Sequence, residues 1–474
     1  MPPVLFTTES DVSRAPQLSN QRAINCFVER QAPTAKGNAP LFGAPGLSLF
    51  ASLGGGPVRG ATLMGATPYF VSGPDLYVVN PDGSSTPVGA GIAGGSNVVS
   101  MANNGTQVCV VDGTNGWIYS VAGGFVQITS AAFYPAFTVN FMDGYFIFDR
   151  TGTNEWFLSA LYDGTSYNAL DFASAEGEPD IVVATVQNLQ LLFIFCTTHI
   201  ELWYDAGALL FPFQRYAGGI INYGCRSPQA IVKQDGAIFF LGSDHIFYRL
   251  QANVPIRVST HYVERIIEQE PDITLVSCLT YTIEGHKMVA VTFPGQAITL
   301  EFDISTGKWH ERQSWTDNPA TGATTSMGRW RGNVAIGAYD NQLVGDTVGN
   351  VGIVDWTVYT EFGNTMPMIA QGITQHHDRQ RVYVDRLELD VQAGVGLITG
   401  QGSDPQVMLD YSRDGGMTWL TQQPWLGMGM QGEYLRRLRW LNLGQGFDLV
   451  FRVTITDPVF RCIIACNGDF AVGA

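Results

Sequence analysis

The chain is predicted to be all-β: a β-propeller of six or seven blades followed by a C-terminal β-sandwich-like domain. Three observations predict it. Hairpin-like segments recur at a spacing of roughly 40–50 residues, the period of propeller blades. Few stretches carry the 3.6-residue period of a helix. From about residue 361 the recurring hairpins give way to longer alternating strands. The expected divisions are residues 1–60 as an N-terminal arm and first strand, 61–360 as the propeller, and 361–474 as the sandwich-like domain.

The clearest repeat is VKQDGAIFFLGSDHIFYRL (Val232–Leu250). It reads as strand Ala237–Leu241, a polar turn Gly242–His245 and strand Ile246–Leu250, with β-branched and aromatic arms around a Gly/Asp turn. Similar pairs occur at Tyr69–Val79, Val108–Val121, Tyr145–Leu161, Leu192–Tyr204, Val289–Phe302 and Val334–Val344. A single small sheet cannot bury both its faces, and stacking such sheets in a ring buries them. A large sandwich or an array of unrelated β-domains is the alternative. Rings of this kind often close by mixing strands from the two ends of the chain. The segment GAPGLSLF (Gly43–Phe50), with its Pro45-Gly46 turn, is therefore a candidate first strand.

The best helical stretch is His261–Gln269, with Tyr262, Val263, Ile266 and Ile267 on one stripe after a capping Ser259-Thr260. In the C-terminal region RVYVDRLELDV (Arg381–Val391) alternates, with a phase shift at Arg386. Val407–Leu420 reads as a hairpin, Tyr434–Leu443 and Asp448–Asp457 alternate again, and Phe460–Phe470 is a last strand. About six strands with polar turns fit a sandwich or jelly roll.

Composition narrows the function classes. With 26 basic against 42 acidic residues the formal charge is −16, which argues against a protein that holds nucleic acid by neutralising phosphates. It leaves room for one that surrounds nucleic acid. The N-terminus lacks the basic and apolar regions of a secretory signal. The most apolar segment, Ile181–Trp203, is broken by Gln187, Asn188, Gln190, His199 and Glu201, so membrane insertion is not expected. Seven scattered cysteines without a CxxC pair point to a reducing folding compartment and no disulfide framework.

Several motifs invite chemistry and are better read as structure. Gly89–Gly94 matches GxGxxG, but strand and turn residues follow where a dinucleotide site needs a helix. Ser412–Trp419 fits the Asp-box SxDxGxTW, in which the Asp accepts backbone N–H bonds within a turn. The carboxylates Asp143, Asp149, Asp163, Asp205, Glu176, Glu178 and Glu201 show no convergence in sequence onto a glycosidase pair. His376-His377, and His199 two before Glu201, lack a third ligand at recognisable spacing. No catalytic residue, cofactor site or metal site is assigned, and no enzyme activity is expected.

One basic concentration stands out: Arg436, Arg437, Arg439, Arg452 and Arg461, set among Trp425, Trp440 and Phe451. Alternation places Arg437 and Arg439 on one face and Arg436 on the other. Either this is a subunit contact, where Arg and Trp are favoured anchors, or it is a solvated sheet face. Arg436, Arg437, Arg439 and Trp440 are the interface candidates, with Asp244 on the turn of the hairpin described above.

Four stretches carry a resemblance. They are RAINCFVER with GAPGLSLF, TTHIELWYDAG (Thr197–Gly207), IRVSTHYVERII (Ile256–Ile267) and YLRRLRWLNLGQGFDLVFRVTITDPV (Tyr434–Val459). Together they resemble the tail nozzle proteins of short-tailed phages, also called tail accessory factors or packaged DNA stabilisation proteins. The likeness spans most of the chain in the right order, through packing and turn patterns. It implies a virion tail protein that assembles as a ring, expected to be a hexamer, below the portal and its adaptor. Such a ring would retain packaged duplex DNA, conduct it at ejection without specific binding, and support fibres, a spike or a needle. A carbohydrate-binding or glycoside-hydrolysing propeller, or a generic protein-binding propeller, is the alternative.

Overall fold

The computed structural model describes residues 4, 6–37, 39–95, 97–177, 180–208, 210–421 and 423–473. Two compact units are present. One holds residues 49–296 and 331–353, and the other holds 1–48, 297–330 and 354–474.

The first unit is built from four-stranded antiparallel sheets in chain order. The first is Val58–Met64, Thr67–Ser72, Asp75–Val79 and Ser85–Ala90; the second Ser100–Asn103, Gln107–Val111, Gly116–Ser120 and Gly124–Gln127. The third is Val139–Met142, Tyr145–Asp149, Glu155–Leu158 and Phe172–Ser174. The fourth is Val182–Asn188, Leu191–Cys196, Ile200–Asp205 and Phe213–Ile221; the fifth Ile231–Gln234, Ala237–Leu241, Phe247–Gln251 and Val254–Arg257. These are propeller blades. Each predicted hairpin in this run is the middle pair of its blade, and the sequence reading missed the outer strands because they are shorter on apolar residues.

The middle strands are buried on both faces, and successive residues face successive blades. In the fifth blade Phe239 sits opposite Arg249 and Phe240 opposite Tyr248, and all five residues of Ala237–Leu241 are buried. Phe240 and Tyr248 pack with Phe193, Phe195 and Ile200 of the fourth blade. Ile147 and Trp156 of the third blade pack with Leu192 and Ile194. Burying each such side chain contributes about 1.5–3 kcal/mol. Phe70 and Val79 of the first blade pack with Leu343 and Val351 near the far end of the unit, and with Ala51 and Leu53 from its beginning. Leu53 N donates to Gly349 O at 2.8 Å. The circuit of blades therefore closes by mixing early and late segments.

The helix His261–Gln269 forms as predicted. Thr260 caps it by accepting from Val263 N, and Tyr262, Val263, Ile266 and Ile267 are buried. Among the described residues no helix is long and apolar enough to cross a membrane. All seven cysteines are free thiols.

The second unit contains the sandwich. One sheet runs Cys26–Val28, Leu41–Gly43, Cys462–Val472, Val382–Val391, Leu438–Gly446. The other brings Asn20–Ile24 beside Met368–Gln371, Val450–Ile455 and Gln406–Ser412. The phase shift at Arg386 is a register shift between Val384 and Arg386. The core between the sheets includes Ala23, Cys26, Leu41, Leu387, Leu389, Leu409, Trp440 and Val453. N-terminal strands thus supply both sheets of this unit, a pairing across hundreds of residues that no local pattern announces.

Candidate interaction site on the sandwich

The Arg-rich stretch does not run as one strand. Residues 434–437 are irregular, and the strand begins at Leu438. Leu438 and Trp440 point inward and are buried, while Arg439 and Leu441 are exposed. Trp440 is therefore corrected from interface candidate to core residue: it is 1% exposed and its indole Nε1 donates to Pro424 O at 2.9 Å. Alternation identifies which residues share a face, but it does not identify which face is covered.

Arg436, Arg437 and Arg439 do come together. They line a groove of about 600 Å³ with Lys36, Tyr434 and Leu435. Arg437 Nη1 and Arg439 Nε reach the two oxygens of Glu388 at 3.5 and 2.7 Å, so these two share a face as expected. Arg436 turns instead to Glu433, at 2.7 Å. Hydrogen bonding from Arg436 holds the Glu433 carboxyl below its ordinary range. Lys36 pairs with Asp390. Four cations thus face three carboxylates, leaving a small positive excess on a strongly acidic chain. The sequence reading missed the apolar part of this surface. Tyr434 is 69% exposed and Leu435 fully exposed, and Trp425 and Met430 on the same connecting stretch are also exposed. The signal was an apolar pair before the arginines, misread as strand alternation.

Arg452 and Arg461 do not belong to this site. Arg452 pairs with Asp410 at 2.9 Å and lies over Trp419. Arg461 is fully buried beside Tyr359 and donates to Met366 O. Burial pushes its guanidinium down to about 10, and Arg312 adds to the effect.

Asp244 lies exposed on its turn, where Oδ1 accepts from Ile246 N and Oδ2 from the Tyr248 hydroxyl. A Cβ at Gly242 would lie 2.4 Å from Asp244 Oδ1 and 2.8 Å from the Tyr248 ring, so a larger residue there displaces both side chains.

The remaining motifs resolve locally. The glycine run 89–94 ends a strand and continues as a loop folded around Arg59, whose guanidinium donates to the carbonyls of Gly73, Ala93 and Asn97. In the Asp-box, Asp414 accepts from Met417 N, Thr418 N and the Ser412 and Thr418 hydroxyls. Desolvation opposes its ionisation, and these bonds outweigh it, holding the carboxyl at about 2. His376 and His377 are exposed. Asp143 and Asp205 line a groove of about 1200 Å³ with Tyr204 and Tyr216, and no arginine is among its described lining residues. Glu178 lies outside the described residues. Glu201 is fully buried and accepts from Gly177 N and Trp203 Nε1. Next to it, the structure brings Asp180 and Cys196 to His199, a grouping invisible in the linear spacing.

Fold and surface together define an all-β protein with a propeller and a C-terminal sandwich, the sandwich bearing an exposed surface of arginines and apolar side chains. A family model described as bacteriophage P22 Gp10, beta-propeller, matches residues 13–359, and one described as bacteriophage P22 Gp10, beta-sandwich, matches residues 372–469. The chain belongs to this family, a family of phage structural proteins associated with DNA stabilisation. A comparison with curated proteins found no match. Among solved structures, the computationally designed Ika8 protein is 12% identical with a TM-score of 0.38, over 71% of this chain and 99% of that one. The N-terminal domain of Nup159 is 10% identical with a TM-score of 0.39, over 69% and 97%. The extracellular domain of a putative one component system from B. thetaiotaomicron is 7% identical with a TM-score of 0.44, over 65% and 40%. Likenesses of this size carry no functional weight.

Proposed function

We propose that this chain is a tail nozzle subunit: it assembles as a ring, a hexamer by our reading, below the portal and its adaptor. The ring retains the packaged genome and conducts it at ejection, and its distal side carries fibres, a spike or a needle. The observation that carries this reading is membership of the P22 Gp10 family through both the propeller and the sandwich. The charge supports it. A ring of subunits each at −16 repels the DNA backbone, which suits sliding over adhesion. The role needs no catalytic site, cofactor or membrane span.

Along the sequence we assign residues 61–360 to the propeller body, 361–474 to the sandwich and 1–60 to an arm, with residues 1–48 of the arm and the segment 297–330 packing in the sandwich-bearing unit. Arg436, Arg437 and Arg439, with Tyr434 and Leu435, form a subunit contact, and Asp244 lies on a second contact rim. Deleting the gene from its phage tests the role. Particles should then fill with DNA and lose it, and wild-type protein added to them should restore retention. Particles that keep their genome and infect normally would overturn the reading.

A further inference from the structure

At one end of the fourth blade, the turn between strands Leu191–Cys196 and Ile200–Asp205 folds against Asp180, just ahead of strand Val182–Asn188. The turn is tight: Cys196 N donates to His199 O at 2.8 Å, and Thr197 N donates to Ile181 O. One ligand-type atom each from Asp180, Cys196 and His199 lies within 4.8 Å of the others. Asp180 Oδ2 is 3.4 Å from His199 Nδ1. The side chains of His199 and Asp180 are 1% and 7% exposed, and Cys196 is fully buried.

Three features distinguish this group from an ordinary buried histidine. First, His199 Nε2 is buried without a hydrogen-bond partner and lies 3.8 Å from Glu201 Oε1. Second, two buried carboxylates, Asp180 and Glu201, share the neighbourhood. The fixed cation paired with Glu201 is Arg215, at 3.3 Å and itself 43% exposed. Buried carboxylates need compensating positive charge. Third, the Asp180 carboxylate is oriented by the Thr197 hydroxyl and by Thr198 through both its N–H and hydroxyl. Hydrogen-bonded carboxylate ligands, and imidazoles backed by a second carboxylate, are the usual surroundings of a metal.

We propose that Asp180, Cys196 and His199 bind a divalent transition-metal cation of the zinc class, with His199 facing Asp180 through Nδ1 and the Glu201 carboxylate, 3.8 Å from Nε2, backing the imidazole electrostatically. A mixed sulfur, nitrogen and oxygen donor set selects a borderline cation over magnesium or calcium. On binding, the Cys196 thiol releases its proton to solvent, so thiolate and carboxylate together balance the charge of the cation. The ion ties the turn to the strand before it. Solvent completes the coordination.

The test uses the full chain, stripped with a chelator and titrated with Co²⁺. One equivalent should bind, with a near-ultraviolet thiolate-to-cobalt band and a raised unfolding temperature. Cys196→Ser should abolish the band, His199→Gln should weaken binding at least about tenfold, and Glu201→Gln should weaken it by about 10–100-fold. Cys278→Ala, outside the cluster, should bind as wild type does. X-ray absorption of the cobalt-loaded wild type needs no variant and should report one sulfur neighbour among nitrogen and oxygen. A folded wild type that takes up no stoichiometric cobalt, a sulfur-free coordination shell, or binding unchanged in folded Cys196→Ser would overturn the proposal.

Discussion

Asn25 and Gln313 are bonded reciprocally: Asn25 Nδ2 donates to Gln313 O at 2.9 Å, and Gln313 N donates to Asn25 Oδ1 at 3.0 Å. Asn25 Nδ2 also donates to Pro367 O, so one amide side chain joins three segments of the sandwich-bearing unit. Asn25 is fully buried and its φ is 52°, a left-handed conformation that Asn adopts more readily than most residues. Arg22, three residues earlier, grips Glu311 through two bonds, at 2.9 and 2.5 Å.

Replacing Asn25 therefore strands a buried N–H and two carbonyls. Asn25→Ala should cost about 2–4 kcal/mol in urea unfolding. Asn25→Gly loses the same bonds but relieves the backbone, so it should cost less than Ala. Equal losses would mean that the conformation carries no strain. No loss at all would mean that the clasp is not formed.

Much of this fold is legible in the sequence wherever the information is local. Thr260 with Tyr262, Val263, Ile266 and Ile267 announces a capped amphipathic helix, and the helix is there. The phase break at Arg386 marks a register shift. What stays hidden is pairing at long range. Arg22 opposite Gln371, and Leu41 opposite Ile463, put the N-terminal strands in the C-terminal sheets, and nothing near Arg22 or Leu41 says so. The same limit concealed the approach of Asp180 to Cys196 and His199. For the arginine face, the shared side of Arg437 and Arg439 was legible, and the burial of Trp440 and Arg461 was not, because burial depends on the opposite sheet.

Asp149 makes a pH prediction. It is fully buried in the third blade, where Phe137 N, Thr138 N and the Thr138 hydroxyl donate to it. Burial pushes its carboxyl up to about 6 against an ordinary 3.8, and these bonds only partly offset the effect. A raised folded pKa favours the folded state where the group is protonated. Its contribution is full below about pH 4 and is lost as pH rises through about 6, a change of about 3 kcal/mol. Asp149→Asn should flatten that part of the stability profile between pH 4 and 7, measured by urea unfolding. An unchanged slope would rule out this residue as its source.

The exposed face at Leu435 separates assembly from folding. Leu435→Asp alters a fully exposed side chain, so chain stability should stay within about 0.5 kcal/mol. If the face is a subunit contact, self-association measured by sedimentation should weaken at least about tenfold, and Arg437→Glu should act in the same direction with a stronger salt dependence. Unaltered association in both variants would remove this face from the interface.

Acidity makes a prediction about DNA. The assembled protein should show weak binding to duplex DNA even at low salt, because it lacks the cation excess whose neutralisation of phosphates drives such binding. Tight, salt-sensitive retention of duplex in a gel-shift titration would contradict a channel that repels its cargo.

The central claim is that this chain is a ring-forming tail subunit. Native mass determination with negative-stain imaging, on the purified chain alone and after mixing with the portal–adaptor complex of its phage, tests it most directly. The account predicts a closed ring of a single chain type around an axial channel, formed alone or on the adaptor. A strict monomer under both conditions would contradict it.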